Sequence, residues 1–126
     1  MNKNRYEKGL AKIKEIIGNE GEKVIKALED TAPDFVKLII EFPYGDIYTR
    51  PGLDIKSREI AAIAALTVMG NVTPQLKTHI RSALRAGCSK QEVVEVIMQM
   101  AAYAGFPVAL NAMLAAKEVF NGKDKK

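Results

Sequence analysis

Apolar residues recur every three or four positions along almost the whole chain of 126 residues. This spacing places them on one face of an α-helix. No stretch shows the alternation of β-branched and polar residues that a half-buried strand would require. The chain is therefore predicted to be all-α, with six or seven helices in a single domain over 1–126. Within it, about 6–120 is expected to be ordered and 121–126 to form a basic tail.

Glycine, proline and capping residues divide this pattern into separate helices. Gly18 and Gly21 are expected to end the first helix, and Pro33 to open the third. The predicted helices are 5–17, 22–29, 33–42, 55–70, 74–87, 90–104 and 107–120. Their predicted N-caps include Asp54, Thr73 and Ser89, the last in a capping box with Glu92.

The sixth predicted helix is apolar nearly all round over 93–104. A helix with almost no polar face must be buried on several sides. In so small a domain, we expect another subunit to cover it.

The segment between the third and fourth predicted helices is the most irregular part of the chain. Pro43 is expected to interrupt the helix there. The segment is either a plain connector or the shaped wall of a site. Arg50 and Tyr44 are its candidates for holding an anionic small molecule, because a guanidinium group matches a carboxylate in bidentate fashion. Alternatively, Arg50 pairs with Asp46 or Asp54 in a surface loop.

The composition excludes several functional classes. The net charge is +4, but most basic residues alternate with acidic ones and no aromatic residues are interleaved with them, so nucleic acid is not an expected partner. A single cysteine excludes an internal disulfide framework. The longest apolar stretch, 60–69, is too short to span a bilayer, and the polar N-terminus does not resemble a signal peptide. A cytoplasmic protein without membrane contact is expected.

His79 is the one histidine of the chain. On its predicted helix, Leu76 and Ile80 form the core face, and His79 lies at the border between core and surface. It is a candidate general acid, although a partly buried histidine bonded to a backbone carbonyl is the alternative. Glu59, early in the preceding helix, either stabilises the helix dipole or orients the His79 imidazole from the neighbouring helix.

Cys88 lies at a turn near a helix N-terminus, where a thiol pKa can be lowered. It has no second cysteine with which to form a dithiol pair, so we interpret it as incidental. A metal site is not expected, because there is no second histidine and no cluster of ligands.

Three stretches of the sequence together resemble a known family. They are YGDIYTRPGLD at 44–54, QLKTHIRSALRAG at 75–87, and EVVEVIMQ at 92–99 followed by YAGFPVALNA at 103–112. In order and spacing they resemble the carboxymuconolactone decarboxylase family, specifically its decarboxylase-like branch. The resemblance covers about 6–120.

This resemblance implies an all-α fold whose subunits form rings, as homotrimers or homohexamers. It implies a reaction without cofactor, in which γ-carboxymuconolactone loses carbon dioxide. His79 matches the family's histidine and would be the acid that protonates carbon. Arg50 would clamp a carboxylate of the small-molecule substrate, and Tyr44, where relatives often have Trp, would shape the site.

The family's alkylhydroperoxidase-like branch reduces peroxides with a Cys-x-x-Cys pair, a histidine and an upstream glutamate. Glu59 falls roughly where that glutamate would be, but Asn71 and Pro74 occupy the approximate positions of the cysteines. Two alternatives to decarboxylation stay open. One is a thiol-dependent peroxidase that uses Cys88 alone with an external thiol, and the other is a non-catalytic ring that binds a metabolite.

Overall fold

The computed structural model describes residues 4–122, and within that range it contains helices and turns but no strand. This confirms the predicted all-α fold class. Residues 123–126 of the predicted basic tail lie outside the described range. The helices are α1 (Arg5–Ile16), α2 (Asn19–Leu28), α3 (Pro33–Ile39), a π-helix (Ile40–Ile47), α4 (Ile55–Met69), α5 (Thr73–Arg85), α6 (Lys90–Ala104) and α7 (Phe106–Phe120).

The described helices group into two compact units along the chain. The first, within residues 4–54, contains α1, α2, α3 and the π-helix. The second, within residues 55–122, contains α4 to α7. The single domain expected over 1–126 stays a prediction.

Two glycines allow close helix packing in the first unit. A Cβ at Gly9 of α1 would lie 2.0 Å from the carbonyl oxygen of Ile40, so α1 and the π-helix touch backbone to backbone. Gly21 was expected to end α1, but it lies inside α2, which begins at Asn19. A Cβ there would lie 2.5 Å from Ile13 Cγ2. Gly21 therefore has a packing role, and Gly18, with a φ of 74°, provides the turn.

The prediction that Pro43 interrupts the helix is wrong. α3 ends at Ile39, but the chain continues as a π-helix with Pro43 inside it. Proline lacks an N–H group and its ring clashes with the carbonyl four residues earlier in an α-helix. The wider π-helix, with hydrogen bonds between residues five apart, accommodates it. The Tyr48 N–H accordingly donates to the Pro43 carbonyl at 2.8 Å.

The second unit packs α4 to α7 around an aliphatic core. Ile63, Ile80 and Ile97, from three different helices, are fully buried. The predicted capping box of α6 is confirmed, since the Glu92 N–H donates to Ser89 Oγ at 3.0 Å. The predicted N-cap Thr73 is wrong by one residue: Val72 is the N-cap of α5.

The apolar surface of α6 is only partly covered by the described chain. Val93 and Ile97 are buried, whereas Met98 and Tyr103 are 49% and 77% exposed. The covering subunit, and a homotrimer or homohexamer, stay predictions. None of the helices within residues 4–122 combines the length and the apolar run needed to cross a bilayer.

Candidate functional site

The buried face of α4 carries two polar residues. Glu59, Ile63 and Thr67 follow one another at four-residue spacing, which places them on one face of the helix. All three are buried, and Glu59 is fully inaccessible to solvent. A carboxyl group at such a position requires a partner within the fold.

That partner is His79 of α5. Its Nδ1 lies 2.7 Å from Glu59 Oε1. The Glu59 side chain is 0% exposed and the His79 side chain 16% exposed, so the pair runs from the interior of the second unit towards its surface. With Nδ1 occupied by Glu59, Nε2 is the ring nitrogen that can exchange a proton with a bound molecule. The structure therefore brings together two of the predicted site residues.

The second oxygen of Glu59, Oε2, is also buried and accepts no hydrogen bond from the part of the chain that the structure describes. A buried carboxylate is costly unless a positive charge or a proton neutralises it. The 2.7 Å contact is a hydrogen bond in which one proton lies between Glu59 Oε1 and His79 Nδ1. A histidine held in this way by a carboxyl group is suited to acid–base chemistry.

The other two predicted site residues belong to the first unit. Tyr44 is buried in the π-helix, and its ring lies against that of Tyr48 with centroids 5.0 Å apart. Arg50 follows the π-helix and is exposed, with its N–H donating to the Ile47 carbonyl at 3.1 Å. That Tyr44 and Arg50 share a site with Glu59 and His79 stays a prediction.

Asp46, one of the two carboxylates considered as a partner for Arg50, is engaged by Arg5 at the start of α1. Arg5 Nε donates to Asp46 Oδ1 at 3.0 Å and Nη2 to Oδ2 at 2.7 Å. These hydrogen bonds, with the charge of Arg5, lower the pKa of the Asp46 carboxyl. The pair fixes α1 against the π-helix that carries Tyr44.

Cys88 is buried, and burial raises the pKa of its thiol, with a further contribution from the negative charge of Glu92. The lowering of the thiol pKa that a position near a helix N-terminus can produce is not found at Cys88, where burial is the largest cause of the shift. A buried thiol with a raised pKa is a poor nucleophile. The geometry thus disfavours the peroxidase alternative.

Within residues 4–122, His, Cys, Asp and Glu side chains form no group of three or more that could hold a metal ion. Thr67, which is absent from the predicted site residues, lies on the same buried face of α4 as Glu59. Its Oγ1 makes no hydrogen bond within the described residues. The eight-residue spacing from Glu59 is the sequence signal that could have identified it.

Comparisons with known proteins agree with the sequence resemblance. The chain is 34% identical over 117 residues to 4-carboxymuconolactone decarboxylase of Acinetobacter baylyi, covering 92% of this chain and 87% of that protein. It is 28% identical over 125 residues to nitrosuccinic acid decarboxylase of Metarhizium robertsii, covering 96% and 85% of the two chains. It is also 35% identical over 103 residues to an uncharacterized 15.0 kDa protein of Paracoccus denitrificans, covering 81% and 77%.

The sequence model of one family matches residues 33–118, which include the π-helix, Glu59 and His79. This is most of the chain, and the relative from Acinetobacter baylyi extends the similarity over 92% of it. The chain therefore belongs to the carboxymuconolactone decarboxylase family, as the resemblance predicted.

Proposed function

We propose that the chain is a cofactor-independent decarboxylase that acts on a small carboxylated lactone or a related enolisable acid. The observation that carries the proposal is the buried Glu59–His79 pair, with 2.7 Å between Glu59 Oε1 and His79 Nδ1. A pair that holds one proton between core and surface can supply a proton to a reacting carbon.

Two relatives support the substrate class by their names. One is named for 4-carboxymuconolactone and the other for nitrosuccinic acid. In each of these compounds a carboxyl group lies close to an electron-withdrawing group, a conjugated lactone in the first and a nitro group in the second. Such a group accepts the electron pair that remains when carbon dioxide leaves. We therefore expect the substrate to be a carboxylate with an electron-accepting group of this kind.

In the proposed reaction, the bond between the carboxylate carbon and the ring breaks and carbon dioxide departs. The electron pair of the broken bond stays on the ring, passes into the conjugated lactone carbonyl and gives a dienolate. His79 Nε2–H then donates its proton to carbon, and the imidazole regains a proton from water. Glu59 holds Nδ1 and stabilises the imidazolium before transfer. Arg50 is the proposed clamp for a substrate carboxylate, and Tyr44 is proposed to shape the site.

The test is a decarboxylation assay with γ-carboxymuconolactone and, separately, with nitrosuccinic acid, using wild type, His79→Ala and Glu59→Gln. Loss of a general acid typically costs about 10²–10⁴-fold in rate. We expect His79→Ala to lose activity in this range and Glu59→Gln to lose less, since it keeps the volume and one hydrogen-bonding group.

Glu118→Gln is the matched control for Glu59→Gln. Glu118 is exposed and pairs with Lys77 on the surface, so the same chemical change should leave the rate unaltered there. All variants are compared at equal oligomeric size. No turnover of either compound by the wild type would reject this substrate class, and full activity in His79→Ala would reject His79 as the acid.

A further inference from the structure

The first turn of α4, which precedes Glu59 of the candidate site, is joined to the start of α6. Lys56 Nζ lies 3.2 Å from Glu92 Oε2. Lys56 comes three residues before Glu59, a spacing that makes the two side chains neighbours on the helix. A lysine is unfavourable in the first turn of a helix, where the dipole places partial positive charge. Glu92 offsets this cost, and the ion pair fixes the turn that leads into Glu59.

Glu92 is itself held in place by the start of α6. Its other oxygen, Oε1, accepts from the Ser89 N–H at 2.8 Å, within the capping box of this helix. That hydrogen bond, followed by the one with Lys56, lowers the pKa of the Glu92 carboxyl. Because the cap already orders Glu92, its pairing with Lys56 costs little further side-chain entropy. An ion pair with one ordered partner therefore fixes a helix end better than a pair of two mobile side chains.

The helix that carries His79 meets α4 and α6 at the same junction. The Cys88 N–H donates to the Ala83 carbonyl at 2.9 Å, which ties the turn before α6 to the end of α5. Ala83 lies about one turn after His79. Burial is the main cause of the raised pKa of the Cys88 thiol, and the charges of both Lys56 and Glu59 also act on that pKa. The parts of α4, α5 and α6 that set the distance between Glu59 and His79 thus converge around Cys88.

We propose that Lys56 is a positioning residue: through Glu92 it holds the first turn of α4, so that Glu59 Oε1 stays within hydrogen-bonding distance of His79 Nδ1. The effect on rate rests on the proposed function, whereas the effect on the pair is measurable without a substrate. The Lys56 and Glu92 side chains are 39% and 45% exposed. Exposed ion pairs contribute little to global stability. Loss of this one should therefore change the geometry of the site more than the free energy of unfolding.

The experiment is an NMR measurement on protein labelled with ¹⁵N-histidine, which reports on His79 alone because the chain has one histidine. A proton on Nδ1 that is hydrogen-bonded to a carboxyl group resonates far downfield, and its signal moves upfield as the bond lengthens. We expect this upfield displacement in Lys56→Met and in Glu92→Gln. Glutamine is compatible with a capping box, so Glu92→Gln removes the charge and keeps the cap. Lys56→Arg, which keeps the positive charge and can bind the carboxylate, should restore the wild-type signal.

The same variants are compared in the decarboxylation assay, at equal oligomeric size. A displacement of 1 Å can cost about 100-fold in rate, so a smaller one in Lys56→Met should lower kcat by about threefold to tenfold. We expect kcat/KM to fall by the same factor, because the change affects the transition state and not substrate binding. Glu118→Gln is the matched control for Glu92→Gln. It breaks another interhelical ion pair of the second unit, with Lys77, and should leave both the His79 signal and the rate unchanged.

Each outcome decides the proposal. A His79 signal that stays at its wild-type position in Lys56→Met would overturn it, even if urea unfolding shows a loss of stability, because the role of Lys56 would then be merely structural. An equal displacement in Glu118→Gln, or an undiminished kcat in Lys56→Met, would overturn it as well. Absence of turnover by the wild type would reject the proposed function instead, and the His79 signal would still decide whether Lys56 positions the pair.

Discussion

Replacement of His79 by alanine is expected to destabilise the fold by about 3–5 kcal/mol, because it leaves a buried charge without a partner. Glu59 is 0% exposed, and the contact with His79 Nδ1 at 2.7 Å is its hydrogen bond within the described chain. Glu59 Oε2 already has no such bond. In the variant, both oxygens of the carboxylate would therefore be buried and unbonded. For a chain of this length the loss corresponds to a Tm lower by roughly 10–20 °C.

Two further variants distinguish the cost of an unpaired buried charge from the cost of the side-chain volume that His79→Ala removes. His79→Asn places an amide N–H near the position of Nδ1, so it should restore most of the stability while lacking a proton for catalysis. Adding Glu59→Leu to His79→Ala removes the buried charge altogether. We expect the double variant to be more stable than His79→Ala by about 2 kcal/mol or more, because an apolar replacement of a whole buried pair is often nearly neutral.

The assay is urea unfolding followed by circular dichroism at pH 7, at one fixed protein concentration because association would shift apparent stability. A loss below about 1 kcal/mol in His79→Ala would refute the argument. A double variant that is no more stable than His79→Ala would also refute it, since the loss of stability would then come from lost packing and not from the buried charge.

Three further predictions concern other parts of the chain. Gly9→Ala should destabilise by about 1–3 kcal/mol or more in urea unfolding, because a Cβ would meet a carbonyl oxygen at 2.0 Å; Gly52→Ala, with open space around it, should be near neutral. Arg5 lowers the pKa of Asp46, so their pairing stabilises the fold above the unfolded pKa of about 4 and is lost as the pH falls through the lower folded pKa. Asp46→Asn should accordingly lose stability relative to the wild type at pH 7, and this deficit should shrink as the pH falls below about 4; a deficit that stays constant would contradict this. Burial raises the pKa of Cys88, so an aromatic disulfide should modify it at least about tenfold more slowly in the native chain than in urea at pH 7, and equal rates would contradict the burial.

The helices were predictable where their signals are local. The capping box of Ser89 and Glu92 is contained within four residues, and the structure shows it as predicted. The π-helix was not predictable in this way. Proline normally ends an α-helix, and its accommodation at Pro43 depends on a wider turn that packs against α1 through Gly9. That contact joins residues far apart in sequence, so no local pattern reports it.

The position of His79 was easier to predict from the sequence than that of Glu59, because their two helices differ in amphipathicity. α5 is clearly amphipathic: Leu76 and Ile80 are buried, and His79 lies at their border with 16% side-chain exposure, as its spacing predicted. α4 is apolar over most of its circumference, so its sequence does not reveal which face meets the core. Glu59 could equally have been an exposed carboxylate of the first turn.

What fixes the rotation of α4 is the packing of Ile63 against the other helices of the second unit. Once Ile63 is assigned to the core, the four-residue period places Glu59 one turn before it and Thr67 one turn after it, both buried. On an apolar helix, a polar residue four positions from a core residue is buried with it. Unlike a surface charge, which water solvates, it requires a hydrogen-bond partner inside the fold. Glu59 finds His79, whereas Thr67 Oγ1 is buried without a hydrogen bond within the described residues. The same face of α4 thus carries the carboxyl group of the candidate site and a second buried polar group.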